Sequence, residues 1–239
     1  MLGRTNSVTW RGGLLKVAAL AMAMAASASV AQAAPELQGA WRIDKPTVSL
    51  KPVQGEIPFT ANGRALYAAN RAARAKGDFS YDLTQRRCSS PGPSRLMLTA
   101  DRFRIMRLPT QVTLQFEWNR LYRHVDMRGG KLDEPLIGPM MGLSTGRWDG
   151  DVLVITTQYI SELTLLDALI PHSDALKLTE RLKLVDADTL EDRITVEDPA
   201  TFTRPWDASI TYRREAEGGF REDVCLDRLE AGQRPLPVQ

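Results

Sequence analysis

The stretch Leu176-Lys177-Leu178-Thr179-Glu180-Arg181-Leu182-Lys183-Leu184 decides the fold class of this 239-residue chain. Leucines at positions 176, 178, 182 and 184 alternate with polar side chains at positions 177, 179, 181 and 183. Successive side chains of a β-strand point to opposite faces, so this period of two predicts a strand with one buried and one solvated face.

Runs of the same kind recur on both sides of this stretch. They lie at residues 112–116, 194–196 and 210–212, and residues 152–157 form a continuous, mostly β-branched run, as in a strand buried on both faces. Turn-forming residues separate them at 108–110, 128–130, 148–151, 186–188 and 217–219. Short strands joined by tight turns at intervals of roughly 8–12 residues are typical of barrels and sandwiches. The pattern predicts an all-β, mainly antiparallel fold, a barrel-like and lipocalin-like meander over about residues 96–226.

One short N-terminal helix is expected before the meander, over about residues 61–76. Its sequence is rich in alanine, Thr60 is a suitable N-cap, and Gly77 can end it in a left-handed conformation. A second apolar segment, residues 161–172, interrupts the meander. It fits either a short helix or an apolar loop that covers a barrel mouth.

The first 33 residues have the features of a secretory signal peptide. Arg4, Arg11 and Lys16 supply positive charge without an acid, residues 14–30 are mostly small and apolar, and Ala31-Gln32-Ala33 is a cleavage motif. We therefore expect cleavage near Ala33, a single mature β-rich domain over residues 34–239, and a periplasmic location. No later apolar run is long enough to cross a bilayer, so the mature protein is predicted not to be membrane-embedded.

Charge and cysteine content narrow the function classes. The signal segment carries +3 of charge, so its removal changes the formal net charge from +2 to −1. A nearly neutral chain argues against nucleic acid as a partner. Cys88 and Cys225 are an even pair in an exported chain, which predicts a disulfide. The alternative is a cysteine nucleophile, which would need protection from oxidation.

Three motifs together resemble a family of exported bacterial β-rich proteins, mostly described only as hypothetical. The family pattern runs M-G-x-S-x-G-x-W-[DE]-G-D-x-L-V-V, then H-S-x-A-L, then D-P-x-x-[FY]-T-x-P-W, and ends near a cysteine. It is matched here by residues 142–154, 172–176 and 198–206 and by Cys225, within a likeness that covers about residues 37–228. The resemblance implies an exported β-rich fold, and it carries no general activity.

Two tracts depart from the family pattern, at residues 118–124 and 163–170. Both changes suit a specialised pocket for a hydrophobic molecule. Gly39-Ala40-Trp41 and Gly146-Arg147-Trp148 both match G-x-W, which in lipocalin-like barrels places a tryptophan as a plug at one end.

Several reaction classes are disfavoured by what the sequence lacks. It contains no G-x-G-x-x-G, Walker loop, C-x-x-C or H-E-x-x-H motif. A metal site would have to combine His124 and His172 with carboxylates such as Glu117, Asp126 or Glu180, whose spacing is not diagnostic. We therefore predict no cofactor and no metal.

The candidate catalytic residues are His172, His124, Tyr122 and Glu117. In the run 121–125, Tyr122 and His124 share one strand face and Arg123 lies on the other. If the first face points inward, the pair could act in general acid–base chemistry. Glu117 is interpreted either as a solvated side chain or as a cavity-facing carboxylate with a raised pKa. For each histidine the alternative is a hydrogen-bonded structural role.

Arg147, Trp118 and Tyr159 are the candidate substrate-binding residues. Arg147 would position the substrate, or stack on the neighbouring tryptophan or bind a carboxylate in a structural role. The favoured hypothesis is an exported, cofactor-independent lyase or isomerase that acts on a small hydrophobic, aromatic substrate such as a lignin-derived dimer. The alternative is a non-catalytic periplasmic, lipocalin-like binding protein for a small hydrophobic ligand. Neither hypothesis specifies an oligomeric state.

Overall fold

The computed structural model describes residues 1–3, 36–216 and 218–236. The chain divides into two units, Met1–Ala33 and Ala34–Gln239, and every element named below belongs to the second. The cleavage motif and the apolar run of the proposed signal peptide lie outside the described residues, so the signal peptide stays a prediction.

Nine strands form a closed barrel. They are β1 (Gly39–Ile43), β2 (Phe103–Leu108), β3 (Gln111–Phe116), β4 (Tyr122–Asp126), β5 (Leu143–Asp149), β6 (Val152–Gln158), β7 (Lys177–Asp186), β8 (Thr189–Glu197) and β9 (Trp206–Glu215). The described helices are α1 (Ala61–Ala75), α2 (Leu83–Arg87), α3 (Pro93–Leu96) and α4 (Cys225–Glu230). The all-β barrel is thus confirmed, and three short helices accompany the expected α1.

Strand order in the barrel follows sequence order, and β9 closes the sheet against β1. Eight of the nine strand contacts are antiparallel, as predicted. The exception is the parallel contact of β4 with β5, here called the seam, which pairs only Val125 with Ser144 and Asp126 with Thr145. A parallel pair needs a crossover connection, and residues 127–142 supply it. The simple meander therefore breaks at this one place.

Helix α1 begins as the sequence predicts. The Thr60 side chain accepts a hydrogen bond from the Gly63 amide at 3.0 Å, which satisfies one of the free N–H groups of the first turn. The buried Gly63 faces the backbone of Thr201, whose carbonyl oxygen would lie 2.4 Å from an added Cβ. The glycine therefore lets the helix approach the segment that precedes β9.

Side chains fill the barrel interior with the period of two that the strands impose. In β7, residues 178, 180 and 182 are buried and those between them are partly exposed. Trp41 is fully buried, and its indole donates to the Leu37 carbonyl at 3.0 Å. Trp148 is only partly buried. Each fully buried leucine or phenylalanine stabilises the fold by roughly 1.5–3 kcal/mol.

The two ends of the barrel are built differently. Three two-residue turns, at 109–110, 150–151 and 187–188, lie at one end, here called the turn end. The other end, the capped end, carries the long connections 44–102, 159–176 and 198–205. Of the two alternatives for residues 161–172, the apolar loop is confirmed, since no helix forms there and Leu166 and Ile170 are buried in the core.

A disulfide joins Cys88 and Cys225, as predicted from the even pair of cysteines. It ties the end of α2 to the start of α4 across 137 positions. Closing a loop of that length stabilises the fold by at most about 5 kcal/mol in the chain-entropy account. Such bonds are typical of oxidising, exported environments. Within the described ranges, no helix has both the length and the apolar run that a bilayer span needs.

Candidate functional site

Tyr122 and His124 lie side by side on the outer face of β4. Both side chains are exposed, and their rings are nearly parallel, with centroids 6.2 Å apart. The Tyr122 hydroxyl accepts from the Gln115 amide at 3.1 Å, and the Gln111 amide lies 2.9 Å from His124 Nδ1. An amide NH₂ can only donate, so Nδ1 accepts and a neutral ring carries its hydrogen on Nε2. The face of Tyr122 and His124 therefore points outward, and the condition set for their acid–base role, an inward face, is not met.

These two rings line a concavity of about 530 Å³ beside the seam, here called the seam pocket. Its lining residues are Thr110, Gln111, Tyr122, Arg123, His124, Asp126, Arg128, Leu132, Pro139, Met141, Gly142, Leu143 and Ser144. The crossover supplies one wall and β4 the other. The pocket forms where the crossover rejoins the barrel. There β5 begins beside the middle of β4, so no β5 residue pairs with the backbone of Tyr122 or Arg123.

Arg123, between the two outward rings, reaches into the barrel. Its guanidinium forms a two-pronged ion pair with Glu180: Nη1 donates to Oε1 at 2.8 Å, and Nη2 donates to Oε2. Nη2 also donates to the Thr157 hydroxyl at 2.7 Å, and Nε donates to the Ser144 hydroxyl at 3.3 Å. Burial lowers the pKa of Arg123, but the charge of Glu180 and its hydrogen bonds outweigh burial and raise it overall.

Asp192 lies in the same interior with no hydrogen bond to either carboxyl oxygen among the described residues. Burial, followed by the charge of Glu180, raises its pKa well above the ordinary value. This shift favours the neutral form of the side chain, and Glu180 balances the charge of Arg123. Burial, with the charges of Asp192 and Glu180, likewise raises the pKa of Tyr212. Arg123, Ser144, Thr157, Glu180 and Asp192 are called the core polar cluster below.

The core polar cluster and the seam pocket share two residues, Arg123 and Ser144. The pocket lining thus joins two hydrogen-bonded residues of the core polar cluster to aromatic, apolar and other polar side chains. Sequence reasoning missed this cluster, although the signal was present: Glu180 interrupts the buried leucines of β7, and Asp192 lies between Leu190 and Ile194. A charged residue at an inward position of an alternating strand has to be paired or neutral.

His172 is buried at the capped end of the barrel. Its Nδ1 lies 2.8 Å from the Ser173 carbonyl, which can only accept, so Nδ1 carries the hydrogen. Nε2 lies 2.8 Å from the Thr164 hydroxyl, and this contact holds the apolar loop. Burial lowers the pKa of His172, which favours this neutral form. The adjacent Ser173 donates from its amide and its hydroxyl to Asp198, so the second and third sequence motifs meet here.

Glu117 is buried in an ion pair and does not face a ligand cavity. Arg102 binds it through Nη2 at 2.6 Å, and the Arg221 amide donates to it at 2.9 Å. Burial raises the pKa of Glu117, but these hydrogen bonds outweigh it and lower the pKa overall. Both interpretations of Glu117, as a solvated side chain and as a cavity-facing carboxylate with a raised pKa, were wrong. The partner that buries and neutralises it, Arg102, lies 15 positions away in sequence and directly before β2.

The three predicted substrate-binding residues lie apart from one another. Trp118 is fully buried, and its indole donates to the Pro235 carbonyl at 2.8 Å, so it anchors the C-terminal segment. Arg147 is exposed on the outer face of β5, and the guanidinium over Trp148 is that of Arg107 instead, 4.9 Å from the ring centre. Tyr159 lines a separate surface groove of about 640 Å³ with residues 134–138 and 160–163.

Comparisons with known proteins add no family. No protein-family model matches the chain, and no curated protein matches it significantly. Solved structures that align with it include an abundant heat soluble (SAHS) protein from Ramazzottius varieornatus, at 13% identity and a TM-score of 0.36, covering 74% of this chain and 94% of that one. A point mutant of the fluorescent protein UnaG aligns at 14% identity and a TM-score of 0.36, covering 76% and 98%. The barrel assignment rests on the strand pairing described above.

Proposed function

We propose that this protein is a non-catalytic, periplasmic binding protein for a small aromatic or hydrophobic molecule, which occupies the seam pocket. The observation that carries the proposal is the pocket itself. Its volume of about 530 Å³ lies within the range of small-molecule sites, roughly 300–1,000 Å³. It combines two adjacent rings and apolar walls with a few fixed polar groups, which is the usual composition of such sites.

Each part of the pocket has a separate task in binding. Tyr122 and His124 offer ring surface, and Leu132, Pro139 and Met141 offer apolar contact. Polar groups of a ligand would meet the hydrogen-bonded side chains of the adjoining strands, which are already oriented. A phenolic ligand suits this arrangement because it carries a flat apolar body with hydroxyl groups at its edge.

The arrangement supports binding better than acid–base catalysis. The four candidate acids and bases lie in three places: Tyr122 and His124 beside the seam, His172 in the apolar loop, and Glu117 in an ion pair with Arg102. Acid–base catalysis requires its groups to lie within hydrogen-bond reach of one substrate. Only the first two residues meet that condition, so the lyase hypothesis becomes the alternative outcome of the experiment below.

Calorimetric titration of the disulfide-intact protein with a guaiacyl phenolic dimer tests the proposal. We expect saturable binding that weakens by about tenfold or more in Tyr122→Ala, the loss typical of an aromatic anchor. Tyr159→Ala is the matched control, because it removes an equally large ring from the neighbouring groove and should leave the affinity unchanged. Equal affinity in wild type and Tyr122→Ala would show that the dimer does not occupy the seam pocket.

Chromatography of the same samples separates binding from turnover. A binding protein returns the dimer intact. Release of a fragment without any added cofactor, lost in both Tyr122→Phe and His124→Phe, would replace the binding function with the lyase function.

A further inference from the structure

We infer that a second pocket, on the outer surface of β8 and β9, binds a small oxyanion such as a carboxylate or a phosphate. This arginine pocket has a volume of about 310 Å³ and shares no residue with the seam pocket. Its lining residues are Val53, Gln54, Arg193, Arg204, Pro205, Trp206 and Asp207. The inference does not depend on the proposed function.

The charge of Arg193 is poorly balanced within the sheet. This residue lies directly opposite Arg181 on β7, and like charges at opposed strand positions are unfavourable. Arg181 is neutralised by Asp149, with Nη2 2.9 Å from Oδ2. Among the described residues, Arg193 has no carboxylate within salt-bridge distance. A bound anion would remove this imbalance.

Arg204 brings a further donor to the same pocket, and Trp206 forms part of its lining. They belong to the third sequence motif, residues 198–206, which the seam pocket does not use. The only hydrogen bond of the Arg204 guanidinium within the described ranges is a long one, 3.4 Å, to the carbonyl of the adjacent Pro205. The Trp206 side chain is 4% exposed, and its indole N–H has no acceptor there. Because Trp206 also lines the pocket, the resonance of its indole N–H can report on binding there.

The acid that lines the pocket, Asp207, is already engaged. Its carboxylate accepts from the Thr195 hydroxyl at 2.7 Å, and its backbone carbonyl holds the Val53 amide at 2.8 Å, which fixes the pocket wall. Two guanidinium groups and one carboxylate leave a net charge of +1. Planar guanidinium groups match the paired oxygens of carboxylate and phosphate. The apolar surfaces of Val53 and Pro205 leave room for an organic body beside the anionic group.

Heteronuclear NMR titration of the disulfide-intact protein tests this site. Inorganic phosphate and benzoate are added separately, at constant ionic strength held with sodium chloride. The readout is the indole N–H resonance of Trp206, assigned by its loss in Trp206→Phe. We expect a saturable shift of this resonance with at least one anion, and affinity roughly tenfold weaker in Arg193→Gln and in Arg204→Gln, as for loss of one charge-assisted hydrogen bond.

Arg181→Gln is the matched control, since it removes the opposed arginine that already has an acid. The variant should bind the anion with the affinity of wild type, because the charge of Arg181 is already balanced by Asp149. Saturation by phosphate alone would assign a tetrahedral anion, saturation by benzoate alone an organic carboxylate, and saturation by both a general oxyanion site. Absence of saturation by either anion, or equal weakening in Arg181→Gln and Arg193→Gln, would overturn the inference.

Discussion

The two glycines that flank β5 have nearly the same φ angle but lie in opposite environments, one enclosed and one open. Gly142 precedes the strand with a φ of +63°, and Gly150 follows it with a φ of +62°. A Cβ at Gly150 would meet nothing within 4 Å, whereas one at Gly142 would lie 2.6 Å from Ile160 Cγ1 and 2.7 Å from the Gln158 carbonyl. A glycine in the sequence therefore indicates a turn with a positive φ, but only the tertiary fold decides whether that turn is enclosed by other residues.

The largest difference in stability is expected between the buried ion pair of Arg123 with Glu180 and the exposed ion pair of Arg181 with Asp149. Glu180→Gln is the sharpest test of this difference. The change leaves Arg123 buried without its counter-charge, so we expect a loss of about 3–5 kcal/mol in the free energy of unfolding. The matched change at the turn end is Asp149→Asn, which removes the exposed partner of Arg181 and should cost less than about 1 kcal/mol. Urea unfolding with the disulfide intact measures both.

A combined Arg123→Met and Glu180→Leu variant separates the ion pair from packing. We expect it to be markedly more stable than Glu180→Gln, since no buried charge remains uncompensated. Equal losses in Glu180→Gln and Asp149→Asn would contradict the contrast between the interior and the surface.

Alanine substitutions at the two glycines test the comparison directly. Gly150→Ala should cost only about 1 kcal/mol, the strain of a left-handed alanine. Gly142→Ala adds close contacts with backbone and with Ile160, so its total should reach about 2–4 kcal/mol. Thermal and urea unfolding of the pair provide the measurement. Similar losses in both would mean that the enclosure of Gly142 does not resist a Cβ.

The pH dependence of stability tests the neutral state of Asp192. Its pKa is raised by folding, so the folded chain keeps a proton that the unfolded chain releases above its ordinary value of 3.8. The contribution is therefore favourable at low pH and is lost as pH rises, by at most about 1.4 kcal/mol per unit. We expect Asp192→Asn to gain in relative stability as the pH rises above about 4, the ordinary pKa of the unfolded carboxyl. Asp149→Asn should follow wild type, and parallel curves for all three proteins would refute the neutral carboxyl.

The smallest effect concerns Trp148, near the end of β5. Arg107 lies over its ring and Arg147 does not, so Arg107→Gln should cost about 0.5–1 kcal/mol, as for an exposed cation–π contact. Arg147→Gln should leave the midpoint of thermal unfolding unchanged. A larger loss of stability in Arg147→Gln than in Arg107→Gln would show that Arg147, and not Arg107, stacks on Trp148.

Local sequence patterns predicted much of the scaffold. The leucine alternation around 176–184, the cap at Thr60 and the cysteine pair all report on their own neighbourhoods, and each is seen in the structure. The parallel seam could not be predicted in this way, because strand direction depends on the path of residues 127–142 and not on alternation. The extra helices α2 and α3 are too short to give a periodic signal, at five and four residues.

The candidate site was predicted less well than the scaffold. The alternation separated Tyr122 and His124 from Arg123 correctly, but an alternating pattern does not say which face is inside. The inward charge of Arg123 is tolerable only because Glu180, 57 positions later, reaches it. Glu180 among the leucines of β7 indicates a buried charge that needs a partner, but the local sequence of neither strand identifies Arg123 as that partner.

The closure of the barrel also constrains when the chain can finish folding. Strand β1 pairs with β9, and the side-chain contact between Arg42 and Glu215 joins residues 173 positions apart. Because the chain is synthesised from its N-terminus, the edge of β1 that pairs with β9 has no backbone partner until nearly the whole sequence is available. Contacts of such high sequence separation slow folding, and open strand edges recruit other chains. Chains cut short before β9 should therefore be prone to edge-to-edge association, and intact chains depend on a late, single closing step.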